Sequence, residues 1–75
     1  MREDVRVSRK EPFEKHAEIV QKIQNAKDTL SEKGRVFVRY SGTEPLARVM
    51  VEGEDFQLIT DLSKDIASSI QRILG

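Results

Sequence analysis

The sequence predicts an α+β domain of two layers, in which a small, mostly antiparallel sheet packs on two helices. Two long segments repeat apolar residues at helical spacing, and three short segments alternate polar and apolar residues as strands do. Turn residues separate these segments, which gives the order β-α-β-β-α. Strands with one apolar face and helices with one apolar stripe are expected to bury these surfaces against each other.

The first strand is predicted at Asp4–Val7, where polar and apolar residues alternate. Because this strand begins almost at Met1, we expect the sequence to be a piece of a longer chain. A helix is predicted to begin with Pro12 in its first turn, where a missing N–H costs nothing. It is expected to stop near Lys33, with Gly34 as a left-handed cap. Its apolar stripe consists of Phe13, Ala17, Val20, Ile23, Ala26 and Leu30.

The centre of the chain is predicted to be a hairpin. Arg35–Tyr40 and Leu46–Glu52 alternate and are rich in β-branched and aromatic residues, so each is predicted as a strand. Ser41–Pro45 consists of turn-favouring residues that join the two strands. Alternation places Arg39 and Arg48 on the face away from the helices, where they are expected to converge beside the loop. The face that the helices cover is expected to consist of Val36, Val38, Val49 and Val51.

The second helix is predicted to start at Glu54 or Asp55, because Gly53 interrupts the preceding strand. Gly75 is expected to be its C-terminal cap. Its apolar positions are Phe56, Ile59, Leu62, Ile66, Ile70 and Ile73.

Composition limits the functions that this chain can have. Its 75 residues make a single domain, too small to enclose a deep site with several catalytic side chains. The 13 basic and 13 acidic residues leave no net charge, whereas nucleic-acid binders usually carry a basic surplus. No apolar run approaches the roughly 20 residues that span a bilayer. We therefore expect no nucleic-acid or membrane partner and, since no signal peptide is present, a cytoplasmic location.

The hairpin loop carries groups that suit a phosphate. Arg39 presents a planar fork of donors, and Arg48 can reach back from the next strand. Ser41 and Thr43 bring hydroxyl donors. Gly42 has no Cβ, so its N–H can approach an anion closely and its φ can be positive.

Two further loop residues set limits on that interpretation. Pro45 stiffens the exit from the loop. Glu44 repels a phosphate, so we expect it to turn away and either to pair with an arginine or to accept hydroxyls of a bound sugar. Composition and spacing alone favour an ordinary hairpin turn over a binding site, because these are favoured turn residues and short motifs match by chance.

The run Arg39–Pro45 followed by Arg48–Gly53 changes that balance. It reads Arg-x-Ser-Gly-Thr-Glu-Pro-x-x-Arg-Val-Met-Val-Glu-Gly, a long pattern that closely resembles the C-terminal domain of the α-D-phosphohexomutases. Within that family it resembles the phosphoglucosamine mutases most. The first strand, the region Lys10–Pro12 and both helices also match in order, so the resemblance covers nearly all of residues 1–75.

The resemblance implies a fold like that of the TATA-box-binding protein and a place as the last of four domains around one cleft. It implies that Arg39, Ser41, Gly42 and Thr43 contact the phosphate of a sugar phosphate, with Arg48 supporting them. The family interconverts glucosamine 6-phosphate and glucosamine 1-phosphate through a bisphosphorylated sugar. Its phosphoserine and Mg²⁺ belong to other domains, so this chain is expected to hold no catalytic residue, metal ligand or cofactor and to be inactive alone. The expected partners are the sugar phosphate and the other domains of the parent enzyme.

The alternative function is a free-standing protein-interaction module that uses an open sheet face or a strand edge. An exposed Phe37 on the face opposite the helices is the expected signal for such a surface. His16 is predicted to be a lone surface histidine without a catalytic partner. Arg6, Arg9 and Lys10 are predicted to form a solvated basic cluster, or else to contact another domain or the second end of the substrate.

Overall fold

The computed structural model describes all of residues 1–75 and has its strands and helices in the predicted order. The elements are β1 (Arg2–Arg6), α1 (Ala17–Leu30), β2 (Gly34–Tyr40), β3 (Leu46–Gly53) and α2 (Phe56–Leu74). Short 3₁₀ turns at Phe13–Lys15 and Ser31–Lys33 flank α1. The α+β class and the five-element order are confirmed.

The three strands form one fully antiparallel sheet in the order β1-β3-β2. The hairpin predicted between β2 and β3 is present, and its loop spans Ser41–Pro45. The register places Val38 opposite Val49 and Arg39 opposite Arg48. Since side chains alternate between the faces of a sheet, these two pairs point to opposite faces.

Both helices cover one face of the sheet, as predicted. Val49 and Val51 of the central strand have no exposed surface, whereas Val36 and Val38 on the edge strand β2 are half-buried. The helices contribute four large side chains without exposed surface: Ile19, Ile66, Ile70 and Leu74. Burying one such side chain stabilises a fold by about 1.5–3 kcal/mol, so this interface is the main source of stability.

The first helix begins later than predicted. Pro12 caps the 3₁₀ turn at Phe13–Lys15 instead of the helix itself. His16 then adopts an extended conformation, with φ −120° and ψ 100°, and α1 begins at Ala17. In the 3₁₀ turn the ring of Phe13 stacks on the ring of Tyr40 in the hairpin. We attribute the later start of α1 to this packing.

The end of α1 also differs from the prediction. The helix stops at Leu30, and Ser31 takes the positive φ, 54°, that was expected at Gly34. Gly34 has an extended φ of −167° and opens β2. Glycine is required there for space, because a Cβ would overlap the carbonyl oxygen of Glu52 and lie 3.0 Å from Leu30.

Three residues assigned to the apolar stripes face solvent, and one of them is Ala17 at the start of α1. Val20 is 42% exposed and Phe56, the first residue of α2, is 70% exposed. The buried residues of α1 are Ile19, which lies one position before Val20, and the predicted Ala26 and Leu30. Asp55 begins α2 as a side-chain cap, accepting from the Leu58 N–H at 3.1 Å. Neither helix is long and apolar enough to cross a membrane.

Candidate functional site

Arg39 and Arg48 lie directly opposite each other on β2 and β3, one residue pair before the loop. Both point to the sheet face that the helices leave open. There they line a shallow cavity of about 340 Å³ together with Arg2, Phe37 and Met50. The structure therefore brings together the two arginines that the sequence placed on one face.

The arginine pair is poorly neutralised by the protein. Arg39 has no carboxylate within ion-pair distance. The Nε of Arg48 is buried without an acceptor. Asp4, which lies opposite Arg48 on β1, is held by Arg2 at 3.1 Å. Like charges in directly opposed strand positions repel each other, and the protein leaves this repulsion largely uncompensated.

Ser41 gives the loop its shape. Its Oγ accepts the N–H groups of Thr43 at 3.3 Å and Glu44 at 3.2 Å, which closes a turn built on a serine side chain. Its own N–H donates to the carbonyl of Leu46 at 2.9 Å. Only 8% of Ser41 is exposed. The Oγ lone pairs are therefore committed to the loop, and only the hydroxyl hydrogen is left for a ligand.

Gly42 and Thr43 lie at the tip of the loop with free donors. Neither the Gly42 N–H nor the Thr43 hydroxyl donates to a protein atom. Gly42 does not use the positive φ that glycine permits, since no glycine of the chain has one. The turn at Ser41 reverses the chain without it. An added Cβ on Gly42 would meet nothing within 4 Å, so the loop itself does not require a glycine here.

Glu44 turns towards an arginine, as one of its two predicted alternatives requires. Its Oε1 lies 3.8 Å from a guanidinium nitrogen of Arg48, and the side chain is 57% exposed. An exposed pair at this distance is weak, so the carboxylate neutralises the arginine only in part.

The segment between β1 and α1, residues 7–16, supports the loop from behind; we call it the strap. The Val7 N–H donates to the carbonyl of Pro45 at 2.9 Å, and the Lys10 ammonium donates to that of Ser41 at 2.6 Å. The rings of Phe13 and Tyr40 stack with centroids 4.4 Å apart. The Tyr40 hydroxyl also donates to the carbonyl of Glu11. Sequence reasoning missed these contacts, and its only signal for them was the family match at Lys10–Pro12.

A small ionic cluster fixes the strap itself. Glu11 accepts from the ring of His16 at 2.7 Å and lies 3.2 Å from Arg9. The hydrogen bond from His16 is the largest cause that lowers the pKa of Glu11. Burial raises the pKa of Tyr40, and the nearby carboxylates of Glu11 and Glu14 add to that effect.

Two predictions for the strap are corrected by these contacts. His16 has a carboxylate partner, because the extended backbone at its position turns its ring back to Glu11. Arg9 and Lys10 do not form a merely solvated cluster, since each has a partner within the protein. No group of three His, Cys, Asp or Glu side chains is placed to hold a metal ion.

The chain matches known proteins over most of its length. The family described as phosphoglucomutase/phosphomannomutase, C-terminal domain, matches residues 4–69. The phosphoglucosamine mutases of Syntrophotalea carbinolica, Geobacter metallireducens and Solidesulfovibrio magneticus are 43%, 40% and 46% identical to it over 72 residues. Each alignment covers 96% of this chain and 16% of the relative. The chain thus spans about one sixth of the length of these relatives.

Proposed function

Because the chain belongs to the family of phosphoglucomutase/phosphomannomutase C-terminal domains, we propose that it holds the substrate phosphate in a phosphoglucosamine mutase-like enzyme. The proposed reaction of the longer protein is the isomerisation of glucosamine 6-phosphate to glucosamine 1-phosphate through a bisphosphorylated sugar. In this proposal the phosphoserine and the Mg²⁺ that serve the phosphoryl transfer belong to other parts of that protein. This chain contributes binding alone.

The observation that carries the proposal is the arginine pair at the base of the loop. A phosphate dianion needs several donors and at least one cation within hydrogen-bond distance. Arg39 and Arg48 supply two guanidinium groups with little competition from carboxylates. The Gly42 N–H and the Thr43 hydroxyl add neutral donors, while Ser41 holds the loop in shape. A dianion between the arginines also offsets their mutual repulsion.

Holding one phosphate serves a reaction that takes place at the other end of the sugar. Binding energy from a part of the substrate that does not react orients the part that does. The donors proposed here recognise the charge and shape of a phosphate and not the sugar attached to it. Such a loop accepts the phosphate of either isomer, which a bisphosphorylated intermediate requires.

A titration followed by NMR tests the proposal. Inorganic phosphate and glucosamine 6-phosphate are each added to the ¹⁵N-labelled chain, and unphosphorylated glucosamine at equal ionic strength is the control. We expect saturable amide shifts confined to residues 39–48 with both phosphates and none with glucosamine. Loop amides that stay unmoved at millimolar phosphate contradict the proposal.

One observation favours a second candidate function, a protein-interaction module. Phe37 is 39% exposed and Met50 37% exposed, and the two lie opposite each other on the open sheet face. Phe37 lies on the face opposite the helices, as strand alternation predicts. An interaction module gives no loop shifts in the phosphate titration, so the same experiment separates the two functions.

A further inference from the structure

We propose that Lys10 is a positioning residue of the phosphate site, which orients and polarises the peptide group between Ser41 and Gly42. The inference rests on the proposed function and assigns a role to a residue outside the loop motif. Lys10 does not touch the phosphate. It acts through the peptide group whose N–H is presented to the ligand.

The geometry of one hydrogen bond carries this inference. The Lys10 ammonium lies 2.6 Å from the carbonyl oxygen of Ser41. In a trans peptide the C=O and the following N–H point in opposite directions. The Gly42 N–H therefore points away from Lys10 and away from the strap. It is also the backbone donor at the loop tip that has no acceptor within the protein.

Lys10 makes the one direct hydrogen bond to this peptide group within the protein. The Ser41 carbonyl accepts no other protein hydrogen bond. Gly42 has no side chain, and no atom lies within 4 Å of the position a Cβ would occupy. A glycine peptide without such restraints rotates readily, because glycine tolerates most backbone conformations. The hydrogen bonds to the Ser41 Oγ restrain the turn around this peptide, and Lys10 adds the direct contact that orients its C=O and hence the Gly42 N–H.

The cationic donor also strengthens the N–H that it orients. Hydrogen bonds in a chain polarise one another, and a charged donor at the carbonyl draws electron density towards the oxygen. The N–H of the same peptide group then becomes a better donor to an anion. The positive charge of Lys10 also attracts a bound anion and so strengthens its binding.

The strap keeps Lys10 available for this contact. Its neighbours Arg9 and Glu11 pair with each other at 3.2 Å, and no carboxylate pairs with Lys10. The strap is attached to both ends of the loop, through Val7 to Pro45 and through Glu11 to Tyr40. Lys10 lies between these two attachments, so its ammonium is held at the loop.

Three variants of Lys10 and one control test the role. We expect Lys10→Met to weaken inorganic phosphate binding roughly three- to tenfold and to shift the ligand-free Gly42 amide and Ser41 carbonyl resonances. Lys10→Arg, which keeps a charged donor, restores most of the affinity, and Lys10→Gln, a neutral donor, gives an intermediate value. Lys15→Met removes the same charge from an exposed position of the strap and leaves binding unchanged. The urea midpoint of each variant reports whether the fold is intact.

The outcomes separate this inference from the proposed function. If the parent chain binds phosphate and Lys10→Met binds it equally well, the Lys10 role is wrong and the proposed function stands. Weaker binding without any change at the ligand-free Gly42 amide reduces Lys10 to a distant charge and overturns its orienting role. A parent chain whose loop does not respond to phosphate overturns the proposed function and the role of Lys10 together.

Discussion

Arg39 and Arg48 are the residues on which the proposed phosphate site depends most directly. Their opposition in the register of β2 and β3 concentrates two positive charges at the mouth of the loop. Glu44 offsets that charge only weakly, over 3.8 Å. The sequence predicted the shared face of the two arginines, because strand alternation decides it. Which partner Glu44 takes depends on side-chain reach, which no periodic pattern encodes.

Replacing Glu44 tests its role beside the arginines. We expect Glu44→Gln to strengthen inorganic phosphate binding about two- to fivefold, because a repelling carboxylate leaves the site. The free energy of unfolding should change by less than about 0.5 kcal/mol, since the ion pair is exposed. Affinities for inorganic phosphate and glucosamine 6-phosphate are measured by NMR titration of parent and variant.

The sugar-contact alternative for Glu44 gives a different pattern. In that case the variant loses affinity for glucosamine 6-phosphate relative to inorganic phosphate. Equal gains for both ligands exclude a contact with sugar hydroxyls.

Gly34 and Gly42 form a matched pair with opposite expectations. A Cβ at Gly34 overlaps the Glu52 carbonyl oxygen, whereas one at Gly42 meets nothing within 4 Å. We expect Gly34→Ala to lower the free energy of unfolding by about 1–3 kcal/mol, because the strands must move apart. Gly42→Ala should change it by less than about 0.5 kcal/mol. Urea unfolding measures the change in each variant. Equal changes in the two variants would show that the close approach of Gly34 to the Glu52 carbonyl does not require a glycine.

The hairpin and the strap are the elements that together build the site. The hairpin was predictable, because two alternating segments flank a cluster of turn residues. The strap was not, since its contacts join residues about 30 positions apart, such as Lys10 and Ser41, and follow no period. The start of α1 was mispredicted for a related reason. Proline fits the start of a 3₁₀ turn as well as the start of an α-helix. The stacking of Phe13 on Tyr40 favours the 3₁₀ turn here.

The single tyrosine reports on the contact between strap and hairpin. Burial raises the pKa of Tyr40 above its ordinary value of 10.0, so the tyrosinate absorbance should appear with a midpoint above pH 10. Because the folded state favours the neutral phenol, Tyr40 contributes fully to the free energy of unfolding below pH 10. That contribution is lost as the pH rises through the pKa of Tyr40 in the folded state. Phe13→Ala uncovers the ring and should return the midpoint towards 10. A parent midpoint at or below 10 would contradict the packing of the strap on Tyr40.

The whole molecule has two unlike faces, and its zero net charge conceals the difference. The open sheet face carries five arginines and two carboxylates, read from the register: Arg2, Arg6, Arg35, Arg39 and Arg48, with Asp4 and Glu52. Composition could not predict this asymmetry, because it sums over both faces. The fold class was predictable, since strand and helix periodicities together specify which surfaces must meet. The cavity at the arginine pair could not be predicted from the sequence, because its lining depends on the register of the hairpin strands.

The central claim is that the arginine pair at the loop holds a phosphate, and a comparison of two arginine variants tests it most directly. Arg39 and Arg35 lie on the same strand and the same open face, but only Arg39 lies beside the loop. The measurement is the dissociation constant for inorganic phosphate of the parent, Arg39→Gln and Arg35→Gln. Arg39→Gln should weaken binding about tenfold or more, because charge-assisted hydrogen bonds contribute about 1.5–3 kcal/mol, and Arg35→Gln should change it less than about twofold. Unchanged affinity in Arg39→Gln, or equal losses in both variants, would contradict a phosphate site at the loop.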